Sequence, residues 1–225
     1  MNLNNIKLNK ENKNNKNKQI NFNKKHYLEN EWTLYYDPPK GKYINFNDYE
    51  NFLEEIYSFS TVEDFWRVQN VIPEFSKLSL GSCYRMFKKG IRPVWEDETN
   101  AGSWYFFVSE DPQTVDKIWE ILMLCCIGKI FGEFTDNITG VFCNARNKIY
   151  KFGFWIDFAA PDDRVKTIGR VFKKKILENF NWKTETIDFQ FVPFTVTKTK
   201  TQLLIDKKNK KNKKKWKKNL NVLKV

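Results

Sequence analysis

Between residues 31 and 192 the alternation of apolar and polar positions predicts six strands and three helices. Glu31 to Tyr36 reads as a strand and runs into Asp37-Pro38-Pro39-Lys40-Gly41, a turn by composition, where a long loop begins. Ser60 and Thr61 precede Glu63 and Asp64 at the spacing of a capping box. They predict a helix whose Phe65, Val68 and Ile72 form a core stripe as far as Pro73. Val62 and Trp66, at i and i+4, lie on an adjoining face of that helix. Cys83 to Phe87 and the aromatic-rich Ser103 to Val108 read as strands, and Val94 to Gly102 between them as a loop with the acidic run Glu96-Asp97-Glu98. Pro112 opens a second helix to about Ile127, with Ile118, Ile121, Leu122 and Cys125 on one side.

Ile138 to Arg146 and Ile149 to Asp157 read as antiparallel strands joined by a tight turn at Asn147-Lys148. In the second of these, period 2 sends Lys151, Gly153 and Trp155 to one face and Phe152, Phe154 and Ile156 to the other. A third helix from Pro161 to about Glu178 and a last strand from Glu185 to Val192 complete the order. Strand pairs separated by single helices predict one antiparallel sheet with helices on one face, an α+β domain. No internal repeat is evident.

Charge divides the 225 residues into three parts. Residues 1 to 25 hold seven Lys, one Glu and ten Asn, residues 207 to 225 hold ten Lys and no acid, and the 26–206 body is left at −4 out of the total of +12. Neither end carries enough apolar surface to offset the entropy of ordering, so both are expected to be disordered tails around a single body domain. A uniformly basic nucleic-acid-coating domain is excluded; a nucleic-acid site in the body must be a local patch. The start lacks the apolar core of a signal peptide, and the apolar stretch at Ile121 to Ile127 is far short of the ~20 residues that span a bilayer, so a cytoplasmic protein is expected. Cys83, Cys125, Cys126 and Cys143 have neither CxxC spacing nor a paired framework, as buried reduced thiols would.

The residues offer little to catalysis. The one histidine, His26, has no nucleophile motif with it, Gly128-Lys-Ile-Phe-Gly132 lacks the ending of a phosphate loop, and Asp162 and Asp163 fit the first turn of a helix. No enzyme, cofactor or metal is expected. A binding constellation is better supported. Trp95-Glu96 sets a flat ring beside a carboxylate in a loop, the two groups that hold a guanine: the ring stacks on the base and the carboxylate accepts from its N1–H and N2–H2. Methylation at N7 makes the base cationic and adds a cation–π contribution. Arg146, Lys151 and Trp155, on adjacent strands, would then set two cations and a ring beside the base, as a phosphate chain requires. The competing reading is a solvated acidic loop with Trp95 tucked into the core.

Five segments together resemble the mRNA cap-binding translation initiation factor 4E family: Thr61-Val-Glu-Asp-Phe-Trp66, Phe87-Lys-Lys-Gly-Ile-Arg-Pro-Val-Trp-Glu-Asp-Glu98, Leu124-Cys-Cys-Ile-Gly128, Asn144-Ala-Arg146 and Ile168-Gly-Arg-Val171. They occur in the family's order over residues 26 to 200. The resemblance implies a curved antiparallel β-sheet with about three helices on its convex face and a slot for the 7-methylguanosine cap on the concave side. It makes Trp95 the second of two stacking rings, Glu96 the guanine-reading carboxylate, Arg146 and Lys151 the phosphate-binding cations, and Trp155 the ring near the N7 methyl. Lys198 matches a basic position near the phosphates. The first ring is Tyr49, with Tyr43 and Phe46 as alternatives.

On the convex side Val62 and Trp66 match a hydrophobic stripe that receives an amphipathic helix with a Tyr-x-x-x-x-Leu-hydrophobic motif, carried by the scaffold initiation factor 4G or by a binding protein. Here the chain departs from the family: His26-Tyr27-Leu28 stands for His-Pro-Leu, Glu120 for an apolar residue and Lys129 for an acid. The expected function is delivery of capped mRNA to the initiation machinery. A cap-binding repressor that does not recruit the scaffold, and a general RNA-binding protein working through its Lys-rich tails, are the alternatives.

Overall fold

The computed structural model describes residues 24–39, 53–147, 149–158, 163–180, 182 and 187–194. Seven strands form one curved antiparallel sheet: β1 (Tyr27–Asp37), β2 (Glu54–Thr61), β3 (Cys83–Lys88), β4 (Gly102–Val108), β5 (Ile138–Arg146), β6 (Ile149–Ile156) and β7 (Gln190–Pro193). Their spatial order is β2-β1-β3-β5-β6-β4-β7. Three helices, α1 (Val62–Gln69), α2 (Pro112–Ile127) and α3 (Asp163–Phe180), cover one face. Two short 3-10 turns, Phe75–Lys77 and Gly132–Asn137, join elements on that side. None of the described helices is long and apolar enough to cross a membrane.

Local chemistry sets the helix ends. Thr61 caps α1 by accepting from the Asp64 N–H at 3.1 Å while its hydroxyl donates to the Asp64 carboxylate at 2.7 Å. Asp111 caps α2, accepting from the N–H groups of Gln113 and Thr114, and Pro112 takes the first helical position, where a missing N–H costs nothing. The sheet's two faces then carry separate cores. Trp32, Leu34, Met86, Val141, Phe152, Phe154 and Ile156 pack under the helices against Phe65, Ile118, Leu122 and Phe172. A smaller cluster of Cys83, Phe87, Phe142, Trp155 and Phe194 lies on the opposite, concave face. The period-2 reading of β6 thus holds, with Phe152 and Phe154 fully buried under the helices and Lys151 and Trp155 on the other side.

Four expectations need correcting. The long loop after Asp37 contains β2, an edge strand whose Glu54 to Tyr57 are exposed, so no alternation announces it; its backbone pairing with β1 makes it a strand. Helix α1 ends at Gln69, with the Asn70 N–H bonding back to the Trp66 carbonyl, and Ile72 packs on the core from the following turn. The third helix runs on to Phe180. The last strand is only Gln190–Pro193, since it pairs with the four positions from Gly102 to Tyr105 of β4; Ile187 is buried without being in the ladder. The four cysteines are buried free thiols, and burial pushes Cys125 up to about 12. The tails, apart from residues 24 and 25, lie outside the described residues, as do Tyr43, Phe46, Tyr49, Lys148, Pro161, Asp162, Glu185 and Lys198.

Candidate functional site

The strand register brings the concave face together. Across β5 and β6, Asn144 pairs with Lys151, Phe142 with Gly153 and Gly140 with Trp155; across β4 and β6, Phe107 pairs with Lys151 and Tyr105 with Gly153. Lys151 and Trp155 are four residues apart, on the order of 13 Å along the strand. Between them the missing side chain of Gly153 lets its neighbours close in, since a Cβ there would meet the Trp104 carbonyl oxygen at 2.2 Å and the Phe142 ring at 2.8 Å. Gly140 does the same under Phe87, whose ring atoms a Cβ would meet at 2.4 Å.

Trp155 is the floor rather than a wall. It is 8% exposed, wedged edge-on between Phe87 (5.2 Å between centroids) and Phe194 (4.6 Å). Trp95 stands half-buried against the same cluster, and its indole N–H donates to the exposed carboxylate of Glu96. The two are held by the loop around them. Asn100, 1% exposed, donates to the carbonyls of Arg92 and Val94, both at 2.9 Å, and Asp97 accepts from the N–H groups of Arg92 and Thr99 at 3.0 Å. Burial alone would raise the Asp97 carboxyl; those N–H bonds and the Arg92 guanidinium outweigh it and hold it below its ordinary value. The acidic run is therefore not a uniformly solvated one: Asp97 is the loop's internal brace, and Glu96 is the carboxylate presented outward.

At the other end lie the cations. The Arg146 guanidinium sits 5.7 Å from the centre of the Phe107 ring and donates to the Asn144 side chain at 3.1 Å. The Lys151 ammonium is 3.9 Å from the centre of the Tyr105 ring, with Phe107 and Phe142 at 5.9 and 5.4 Å. Burial, followed by repulsion from Arg146 and Arg85, lowers Lys151 to about 8. A half-buried cation beside two others favours an anion there. Tyr105, Phe107 and Arg85 were not singled out from the sequence; alternation within β4 and β3 marks each as facing one side, but only the register across strands brings them to Lys151.

On the convex side, Tyr27 pairs with Thr61 and the Val62 N–H donates to the His26 carbonyl at 2.9 Å. His26 ties to Glu63 twice, through its ring nitrogen at 2.6 Å and its backbone N–H at 3.0 Å, and these bonds bring Glu63 down to about 2. Tyr27 and Trp66 are exposed, and Leu28 packs on the core. Trp66 and Glu120 line one open groove of about 720 Å³ with Ile72, Pro73, Asp116 and Trp119. Glu120 pairs with Lys117 at 2.5 Å, and Lys129 with Glu29. Among the described residues no group of His, Cys, Asp and Glu has the arrangement of a metal site.

Comparison with known proteins gives the family. The model of the family described as eukaryotic initiation factor 4E matches residues 27–203. The chain is 35% identical over 170 residues to eukaryotic translation initiation factor 4E of Candida albicans, covering 73% of this chain and 79% of that relative. It is 38% identical over 156 residues to the factor of the same name from Dictyostelium discoideum, covering 68% of this chain and 61% of that relative. Among solved structures it is similar to Ascaris suum eIF4E-3 in complex with an m7G cap (TM-score 0.65, 32% identity, 74% of this chain and 91% of that one). It is likewise similar to C. elegans eIF4E-3 in complex with the 4E-binding protein Mextli (TM-score 0.62, 34% identity, 68% of this chain and 87% of that one). The chain belongs to the eukaryotic initiation factor 4E family.

Proposed function

We propose that this protein is a binding module, not an enzyme, that holds the 7-methylguanosine 5′ cap of mRNA in its concave slot and brings capped mRNA to the initiation machinery through a scaffold. The observation that carries the reading is the polarity of the slot: a ring and an outward carboxylate at one end, two partnered cations at the other, and an apolar floor between them. That is the order of groups along a capped nucleotide, base first and phosphates last. Trp95 stacks on the base, Glu96 accepts from its Watson–Crick edge, Trp155 lies beside the N7 methyl, and Arg146 and Lys151, with Lys198, take the phosphates. A carboxylate has about four acceptor positions, so the indole N–H of Trp95 leaves Glu96 able to accept two more donors. Tyr49, the first ring, supplies the other stacking face. The m7G cap bound by the Ascaris suum relative supports the assignment of the slot.

The helix-covered face is the partner surface. Trp66, exposed beside the groove, and Val62, Leu28 and Tyr27 around the fixed His26 offer apolar contacts for an amphipathic helix, as expected of the scaffold factor 4G or a binding protein. The Mextli complex of the C. elegans relative supports a protein partner. A second reading, a cap-binding repressor that does not recruit the scaffold, is favoured by Glu120 and Lys129: each is held in an ion pair that a docking helix would have to cover or break. Retention on immobilised 7-methylguanosine, with release by free methylated cap but not by GTP, tests the slot. Pull-down of the cap-bound protein with the scaffold's helical peptide then separates the two roles: capture supports initiation, and failure of capture supports repression.

A further inference from the structure

We infer that the buried Asp37–Arg85 ion pair positions the floor and the rim of the slot together, which makes Arg85 a positioning residue for recognition of the base; the inference rests on the slot being the cap site. Arg85 lies in the middle of β3, between Tyr35 of β1 and Phe142 of β5. Its guanidinium reaches in three directions. One nitrogen bonds Asp37 at 3.2 Å, another donates to the Pro93 carbonyl at 3.4 Å, and the Cζ lies 5.8 Å from the centre of the Trp155 ring. Only 14% of the Arg85 side chain and 5% of that of Asp37 are exposed.

Those contacts tie the end of β1 to two parts of the slot. Pro93 lies in the loop that carries Trp95 and Glu96, Trp155 is the floor, and Asp37 is the last residue of β1. A planar guanidinium can bond two acceptors while lying against a ring; an ammonium, a single compact charge, cannot keep all three contacts. Burying an ion pair is weak evidence for a stabilising role, because desolvation opposes the attraction. Geometry is the better account. The same charge also reaches Lys151, which is faced by Arg85 and the Cys83 thiol from β3, Arg146 from β5 and the Tyr105 ring from β4.

Fluorescence titration with 7-methylguanosine and with its 5′-triphosphate, across pH, tests this on the unaltered protein, on Arg85→Lys and on the double variant Asp37→Asn with Arg85→Met, which removes both charges of the pair together. Arg85→Lys is expected to bind nucleoside and triphosphate about tenfold more weakly, the scale of one charge-assisted hydrogen bond. Its triphosphate-to-nucleoside affinity ratio should keep the same pH midpoint, because the charge remains. The double variant is expected to lose the same affinity and to move that midpoint upward, because a cation next to Lys151 has gone. If both variants bind the methylated nucleoside within twofold of the unaltered protein, the positioning role is wrong and the cap-site reading stands. A lowered melting temperature with neither change would reduce the pair to a structural one and overturn the inference. Equal affinity of the unaltered protein for methylated and unmethylated nucleoside would overturn the cap-site reading, and this inference with it.

Discussion

Trp95 and Glu96 are neighbours in the chain, and in a strand their side chains would point to opposite faces. The braced loop from Arg92 to Asn100 brings them into hydrogen-bond contact instead, so that in the proposed slot ring and carboxylate can face one ligand. Glu96→Ala removes an acceptor worth roughly 1.5 to 3 kcal/mol and is expected to weaken cap binding about tenfold to a hundredfold; Trp95→Ala, by removing one stacking face, is expected to cost a similar amount. Arg146→Ala should weaken the triphosphate while leaving the preference for the methylated base unchanged, since it touches charge outside the base. Fluorescence titration of the three variants reads all of these. Lys151 adds a pH dependence. Its folded pKa lies below its unfolded value, so its burial opposes folding below pH 8 and the opposition fades as pH rises above it. Ligand phosphates need the charged form. The triphosphate-to-nucleoside affinity ratio is therefore expected to be flat from about pH 7 to pH 8, where the terminal phosphate is already ionised, and to fall by up to about tenfold per unit above that, titration of the base cancelling in the ratio. A ratio that stays flat to pH 10 would mean that Lys151 does not meet the phosphates.

At the scale of elements, what could be read from the sequence depended on whether the signal was local. Helix α2 begins at Pro112 and ends at Ile127 as the sequence predicts, because its cap, its proline and Gly128 are all adjacent to it. Strands β5 and β6 follow likewise from their own alternation and the short turn between them. Strand β2 does not, because four of its eight residues are exposed in succession and pairing with β1 alone defines it. The site divides in the same way. Trp95, Glu96, Arg146, Lys151 and Trp155 could be picked out from residue type and spacing, whereas Arg85, Tyr105 and Phe107 join them through register between strands distant in sequence. Gly153 shows the register at work. With the Trp104 carbonyl oxygen only 2.2 Å from a built Cβ, Gly153→Ala must displace backbone rather than a side-chain tip. It is expected to lower stability by about 1 to 3 kcal/mol, measured by denaturant titration, and to weaken cap binding by shifting Phe142. A variant as stable as the original would show that β4 and β6 are not so closely apposed.

For the whole molecule, the sheet separates two tasks. Its concave face holds a small aromatic cluster with cations at one end, and its convex face holds the large core and the helices, so the proposed cap slot and the proposed partner surface lie on opposite sides of one layer. The body carries −4 overall, so in the proposed reading its attraction for RNA is local, at Arg146, Lys151 and their neighbours, while the chain's net positive charge sits in its ends. Deleting residues 207–225, with their ten Lys, is expected to flatten the salt dependence of capped-RNA binding while leaving discrimination of the methyl group intact. An unchanged slope would assign those lysines no part in RNA binding. The central claim is that the slot recognises a cationic guanine, and the most direct measurement is tryptophan fluorescence titration of the unaltered protein with 7-methyl-GTP and with GTP under the same conditions. A desolvated cation–π contact of about 2 kcal/mol predicts at least tenfold tighter binding of the methylated nucleotide. Equal affinity for the two would contradict the account.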